Sequence, residues 1–141
     1  MSAMADALRR VPLFSELSSR DMRRLAGAMH ERTFSDGQSV MSEGEGGVGF
    51  FVILDGRASV TRGGEAAGEL DAGDYFGEMA LIDGDHRAAT VCATGDLRCA
   101  AMTQWQFRPF VKEHPDVAWA LLTTLVKRVR AAQTAPAVPT G

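Results

Sequence analysis

Three textures of hydrophobic and polar positions follow one another along the chain. In ALRRVPLFSELSSRDMRRLAGAMHERTF, residues 7–34, Leu17, Met22, Leu25, Ala26 and Met29 fall near helical spacing. Ser18 or Ser19 can cap the helix start, with Asp21 in its first turn. The pattern predicts a short helix before Pro12, a turn over Val11–Ser15, and a helix over Ser19–His30 whose arginines face solvent. From Glu31 to Thr103 the periodicity changes to short apolar or alternating runs: RTFS, SVM, FFVIL, ASVTR, AGEL, AATVCA and LRCAAM. Gly37, Gly44, Gly56, Gly63, Gly64, Gly73, Gly84 and Gly95 lie between or beside them, which predicts many short antiparallel strands in a sandwich or barrel. A two-residue loop at Gly95-Asp96 predicts a hairpin that sets Ala93 opposite Arg98 and Cys92 opposite Cys99. The two cysteines are expected as packed thiols, not a disulfide. Beyond Thr103, QFRPFVKE reads as a short helix interrupted by proline, and Pro115 opens a longer one, DVAWALLTTLVKRVRAAQ. Val117, Leu121, Leu122, Leu125, Val126 and Val129 form its apolar stripe. Trp105 and Trp119 are expected as packing anchors. Lys127, Arg128 and Arg130 suit the C-terminal end of the helix dipole and are read as a solvated helix end, with contact to a base, partner or phosphate as the alternative. The expected domain covers residues 1–133, and TAPAVPTG, residues 134–141, is expected to be a disordered tail.

Composition narrows the classes. With 141 residues, 45% hydrophobic and 23% charged, the chain has material for one domain with a buried core. No apolar run approaches the ~18 residues of a spanning helix, and MSAMADALRR lacks the apolar stretch of a signal peptide. A cytoplasmic protein with no membrane partner is expected. The net charge of -3 hides a split, since residues 35–86 carry two arginines against eleven acids. Nucleic acid is not expected as a partner, because it needs a basic stripe. His30, His86 and His114, with Cys92 and Cys99, give no metal-ligand spacing, so no metal is expected.

Gly44, Gly46 and Gly49 match GxGxxG, but FFVIL follows where a dinucleotide site needs a helix, so a turn between strands is predicted. Common enzyme signatures are missing, and no catalysis is expected. The informative segment is GDYFGEMALIDGDHRAATV, residues 73–91. Within it, Gly77 to Leu81 reads as a single helical turn that offers free N–H groups to an anion. Arg87, nine residues after Glu78, is a nearby cation whose fork can hold two phosphate oxygens, or it pairs on the surface with Asp83 or Asp85. Glu78 suits ribose hydroxyls, or is simply a first-turn acid. His86 reads as an exposed loop residue, and Met79, Leu81 and Ile82 as core.

FGEMALIDGDHRAA resembles the phosphate-binding cassette of the cyclic nucleotide-binding domain family: Phe-Gly-Glu, an aliphatic residue, Ala-Leu, a short loop, then Arg, a small residue and Ala. VPLF, DGQSVMSEGE, GFFVILDGRASV and the closing helices extend the similarity over nearly the whole chain. The resemblance implies an eight-stranded antiparallel jelly-roll barrel, mainly β, with N-terminal helices and a C-terminal helical lid. It implies a cyclic phosphate held by Arg87 and by the backbone around Gly77, Glu78, Met79, Ala80, Ala88 and Ala89, with Glu78 on the ribose 2'-hydroxyl. The purine would rest on Val60, and on Ala67 or Gly68, beneath the last helix from Val129 to Gln133. A threonine at position 88 tends to favour cGMP in this family, so Ala88 implies cAMP, with cGMP as the alternative. His86 stands where proline is frequent. The implied function is a stand-alone cAMP receptor that signals through its last helix to an effector chain, or buffers ligand; a homodimer through that helix stays open. The rivals are a ligand-free interaction module of the same fold and a cupin-like metal enzyme, which the isolated histidines disfavour.

Overall fold

A computed structural model of the chain describes residues 3–42, 49–78 and 89–134. Gly44, Gly46 and the tail beyond Thr134 lie outside these residues. Helix α1 spans Ala3–Arg9, a 3-10 turn covers Pro12–Phe14, and α2 spans Ser19–Ala28. Ser18 is the N-cap of α2, its hydroxyl accepting from the Asp21 N–H at 3.1 Å. Met22 and Leu25 are buried, while Arg20, Arg23 and Arg24 are exposed. At the other end, α3 spans Gln104–Glu113 and α4 spans Pro115–Thr134. Thr103 and Gln106 close a reciprocal capping box at the start of α3. His114 joins the two helices: its carbonyl accepts from the Val117 N–H at 3.0 Å, and its ring lies 4.4 Å from that of Phe110. No described helix is long and apolar enough to cross a membrane.

Between the helices lie β1 (His30–Phe34), β2 (Ser39–Met41), β3 (Gly49–Arg62), β4 (Glu65–Asp71), β5 (Tyr75–Phe76) and β6 (Thr90–Thr103). The order is β1-β6-β3-β4, with β2 also on β6 and β5 also on β3, and every pairing is antiparallel. The architecture is thus mainly antiparallel β with flanking helices. It differs from the expected eight-stranded closed barrel: six strands form among the described residues, and the sheet does not close. Two pairs of runs join. FFVIL and ASVTR are one strand, β3, and the TVCA of AATVCA joins LRCAAM in another, β6. Tyr75–Phe76 adds a strand too short to show alternation in the sequence.

The predicted Gly95-Asp96 hairpin therefore does not exist. Cys92 lies opposite Ser59 and Ser39, Cys99 opposite Ile53 and Arg32, and both thiols are free. Gly95 (φ +75°) instead sits at a bend in β6, its N–H donating to Asp36 Oδ1 at 2.8 Å. β3 bends at the same level, with register shifts on both sides of Asp55 and with Gly56 at φ +97°. A positive-φ glycine beside an aspartate serves a tight turn or a bulge, and long-range pairing decided for the bulge.

Phe50 to Ile53 of FFVIL are buried, and Leu54 partly so, because both faces of the strand are covered. Phe50 and Val52 join Ala100 and Met102 against the helices, where Leu8, Phe14, Leu25, Phe107, Val117 and Leu121 are also buried. Phe51 and Ile53 face a second core with Phe34, Phe76, Val91, Leu97 and Cys99. Phe51 and Phe76 stack there with ring centroids 5.1 Å apart. Burial pushes the Cys99 thiol up to about 12, so it stays protonated and inert. The two tryptophans expected as anchors are exposed, Trp105 on α3 and Trp119 on α4.

A Cβ on Gly56 would overlap the Asp96 carbonyl and lie 3.2 Å from Leu97 Cα. Gly56→Ala is expected to cost about 2–4 kcal/mol, from the positive φ together with the backbone overlap. Gly63, also at positive φ, has open space around its Cβ position, so Gly63→Ala should lose only about 1–2 kcal/mol. Urea unfolding of both variants checks this, and equal losses would remove close backbone approach as the cause.

Candidate functional site

Where β5 ends, Gly77 adopts φ +94°, a conformation glycine reaches without strain. The chain there leaves the sheet and carries Glu78 inward. Glu78 is the one charged residue that is buried among those described, its side chain only 3% exposed. A buried carboxylate needs a partner, and α4 supplies it: Arg128 Nη1 donates to Glu78 Oε1 at 2.9 Å, with the arginine side chain 48% exposed. The same guanidinium carbon lies 5.8 Å from the centroid of the Tyr75 ring. The Tyr75 hydroxyl is buried with no hydrogen-bond partner among the described residues. Burial first, and then the Glu78 charge, raise its pKa against the lowering effects of the nearby Thr124 hydroxyl and Arg128. It therefore stays a neutral phenol.

These groups line a cavity of about 470 Å³, within the range of small-molecule sites. One wall is the β3–β4 hairpin with Val60, Arg62, Ala67, Gly68, Glu69 and Leu70; the others are Met41, Tyr75 to Glu78, Ala89 and Val91. The rim is α4, through Leu125, Arg128, Val129 and Ala132. The lining is mostly apolar with a few charges, an arrangement suited to an organic ligand with one flat apolar part and a few hydroxyl or anionic groups.

Of the residues singled out from the sequence, Val60, Ala67, Gly68, Gly77, Glu78, Ala89 and Val129 meet around this one cavity. Met79, Ala80, His86, Arg87 and Ala88 lie outside the described residues. The helical turn expected to follow Gly77 lies outside them beyond Glu78. Among the described residues no group of His, Cys, Asp and Glu could hold a metal ion. Arg128 corrects the view of its basic cluster as a solvated helix end. The signal for it was present: Val117, Leu121, Leu125 and Arg128 follow at helical spacing, and the arginine closes the row that packs on the sheet. The predicted stripe was too wide. Val117 and Leu121 are buried, whereas Leu122, Val126 and Val129 stand exposed.

Residues 31–114, more than half of the chain, match the model of the cyclic nucleotide-binding domain family. A cAMP-dependent protein kinase regulatory subunit from Mycosarcoma maydis is 44% identical over 89 residues, covering 60% of this chain and 17% of that protein. A cyclic nucleotide-gated potassium channel from Rhizobium etli is 34% identical over 118 residues, covering 84% of this chain and 33% of that protein. Among solved structures, the regulatory domain of Toxoplasma gondii PKA in co-crystals with cAMP is similar, with TM-score 0.79 and 26% identity, covering 89% of this chain and 49% of that one. The chain thus spans a third or less of these two curated relatives.

Removing Arg128 leaves the Glu78 carboxylate buried beside a neutral phenol. Arg128→Ala is expected to lower stability by about 1–2 kcal/mol, the penalty reduced because the arginine is half in solvent. Glu78→Gln in the same background should restore part of the loss. A double-mutant cycle by urea unfolding measures the coupling, and additive losses would mean the two side chains do not depend on each other.

Proposed function

The chain belongs to the cyclic nucleotide-binding domain family, and from that membership we propose that it is a receptor for cAMP that converts occupancy into a changed position of α4. The observation that carries the reading is the buried Glu78 carboxylate at the wall of an apolar cavity that α4 closes. Glu78 Oε1 takes Arg128, and Oε2 accepts from the ribose 2'-hydroxyl. The cyclic phosphate is taken by Arg87, by the N–H groups of Gly77, Glu78, Met79 and Ala80, and by those of Ala88 and Ala89. The purine lies between Val60 on β3 and Val129 on α4. Ala88 offers no hydroxyl to the guanine 2-amino group, so cAMP is preferred to cGMP.

Movement follows from where the ligand sits. Leu125, Arg128, Val129 and Ala132 all border the cavity, so a bound purine adds apolar surface under the last turns of α4. Ligand favours the closed helix only by its differential affinity for the two states. The protein acts as a regulator, not a catalyst, as the names of its relatives as a regulatory subunit and a gated channel support. It works in the cytoplasm, and its output goes to an effector protein.

Calorimetric titration with cAMP and cGMP tests the receptor reading. Arg87→Ala should weaken cAMP binding about a hundredfold or more, the scale of a lost pair of charged hydrogen bonds, with the fold intact. Unchanged affinity would sink the site. Hydrogen exchange tests the movement: amides from Leu125 to Gln133 should gain protection with cAMP while those of FFVIL change little. Equal protection of α4 with and without ligand would refute the lid.

A further inference from the structure

Among the described residues, the Tyr75 hydroxyl is the buried side-chain polar atom with no hydrogen-bond partner. Its ring is held on both sides, with the Phe50 ring centroid 5.7 Å from its own and the Arg128 guanidinium carbon 5.8 Å away. Tyr75 is also tied to β3, where it pairs with Val52. The residue lines the cavity, but its hydroxyl is closed to solvent. A ligand therefore gives the hydroxyl a partner by moving a neighbour, not by touching it. An unpaired buried hydroxyl is costly, so a small displacement that pairs it is favoured.

That neighbour is on α4. Thr124 stands four residues before Arg128 and shares with it the face turned toward Tyr75. It is half-buried, and its hydroxyl donates to the Ala120 carbonyl at 3.2 Å. A hydroxyl has one proton and two lone pairs, so Thr124 Oγ1 is still able to accept. It lies close enough to act on the phenol's ionisation, yet short of a hydrogen bond. Leu121 is buried in the helix-side core and Leu125 borders the cavity. Thr124 thus sits where the held half of α4 passes into the half that a ligand draws inward.

We propose that Tyr75 and Thr124 are positioning residues for α4: when the cavity fills and the helix closes, the Tyr75 hydroxyl donates to Thr124 Oγ1. The bond completes a chain that ends on the Ala120 carbonyl. This rests on the reading of the chain as a cAMP receptor and adds to it the contact that fixes where the closed helix stops.

The bond belongs to the ligand-bound state, so removing it acts with opposite signs on the two states. Tyr75→Phe deletes only the hydroxyl. Without ligand the variant sheds an unsatisfied group, and its urea midpoint should hold or rise. In calorimetric titration its affinity for cAMP should fall about fivefold, the scale of one net hydrogen bond. Thr124→Val should weaken binding by the same factor, and the double variant no further. Thr124→Ser keeps the hydroxyl and should bind like the unaltered protein. A purely structural role would move stability and affinity together. A lower urea midpoint for ligand-free Tyr75→Phe, full affinity in that variant, or losses that multiply in the double variant would overturn the proposal and leave the receptor reading standing, provided the unaltered protein binds cAMP. No binding by the unaltered protein would overturn both.

Discussion

The antiparallel pairing of β3 with β6 is the constraint on which the rest of the molecule hangs. It runs from Gly49 opposite Thr103 to Thr61 opposite Thr90, through a bend the two strands share. All other strands attach to one of these two. One face of the pair supports the helices and the opposite face holds the second core. The bend is possible because Gly56 has no Cβ where the Asp96 carbonyl passes. A fold built on two long strands far apart in sequence depends on contacts of large separation, so its local signals are weak compared with its long-range ones.

The site applies a different principle, a buried charge that makes two elements answer to each other. Glu78 belongs to the end of β5 and Arg128 to α4, fifty positions later. Their pairing gives the buried carboxylate a partner at the cavity wall while the half-exposed arginine stays within reach of solvent. Tyr75 lies under the guanidinium with its hydroxyl unsatisfied among the described residues. Buried polar groups that lack a full set of partners are where a ligand gains most by supplying one.

How much of this could be read from the sequence varied with the range of the interaction. Ser18 as a cap, Pro115 as a helix start and the helical spacing of α2 are local, and they emerge in place. The short β runs were legible as strands, but whether two runs join through a glycine or turn back is decided by the partner strand. That is why Gly95-Asp96 reads locally as a hairpin although β6 continues through it. Tyr75–Phe76 was too short to reveal a strand. On α4, hydrophobicity alone did not separate the row that packs on the sheet from the row that faces out, because both are made of the same residue types. Size alone places Trp119 inward and charge alone places Arg128 in solvent, yet Trp119 is exposed and the half-exposed Arg128 reaches the buried Glu78. Of the residues around the cavity, Val60, Ala67, Gly68, Gly77, Glu78, Ala89 and Val129 were legible through the family resemblance, whereas Met41, Arg62, Leu70, Tyr75 and the Glu78–Arg128 pair needed the fold.

Strands that run through a bend without a break have a mechanical consequence. Val60 and Val91, at the cavity, lie on the same two strands as Phe51 and Cys99, deep in the second core. Two ends of a molecule that share continuous, paired strands do not shift easily against each other, since any slip would break the register along its whole length. The sheet is then a stator. Helix α4 follows α3 at His114, whose ring is wedged against Phe110 with Nδ1 3.7 Å from Asp21 on α2, and it is anchored to the helix-side core by Val117 and Leu121, so its first turns belong to the stator as well.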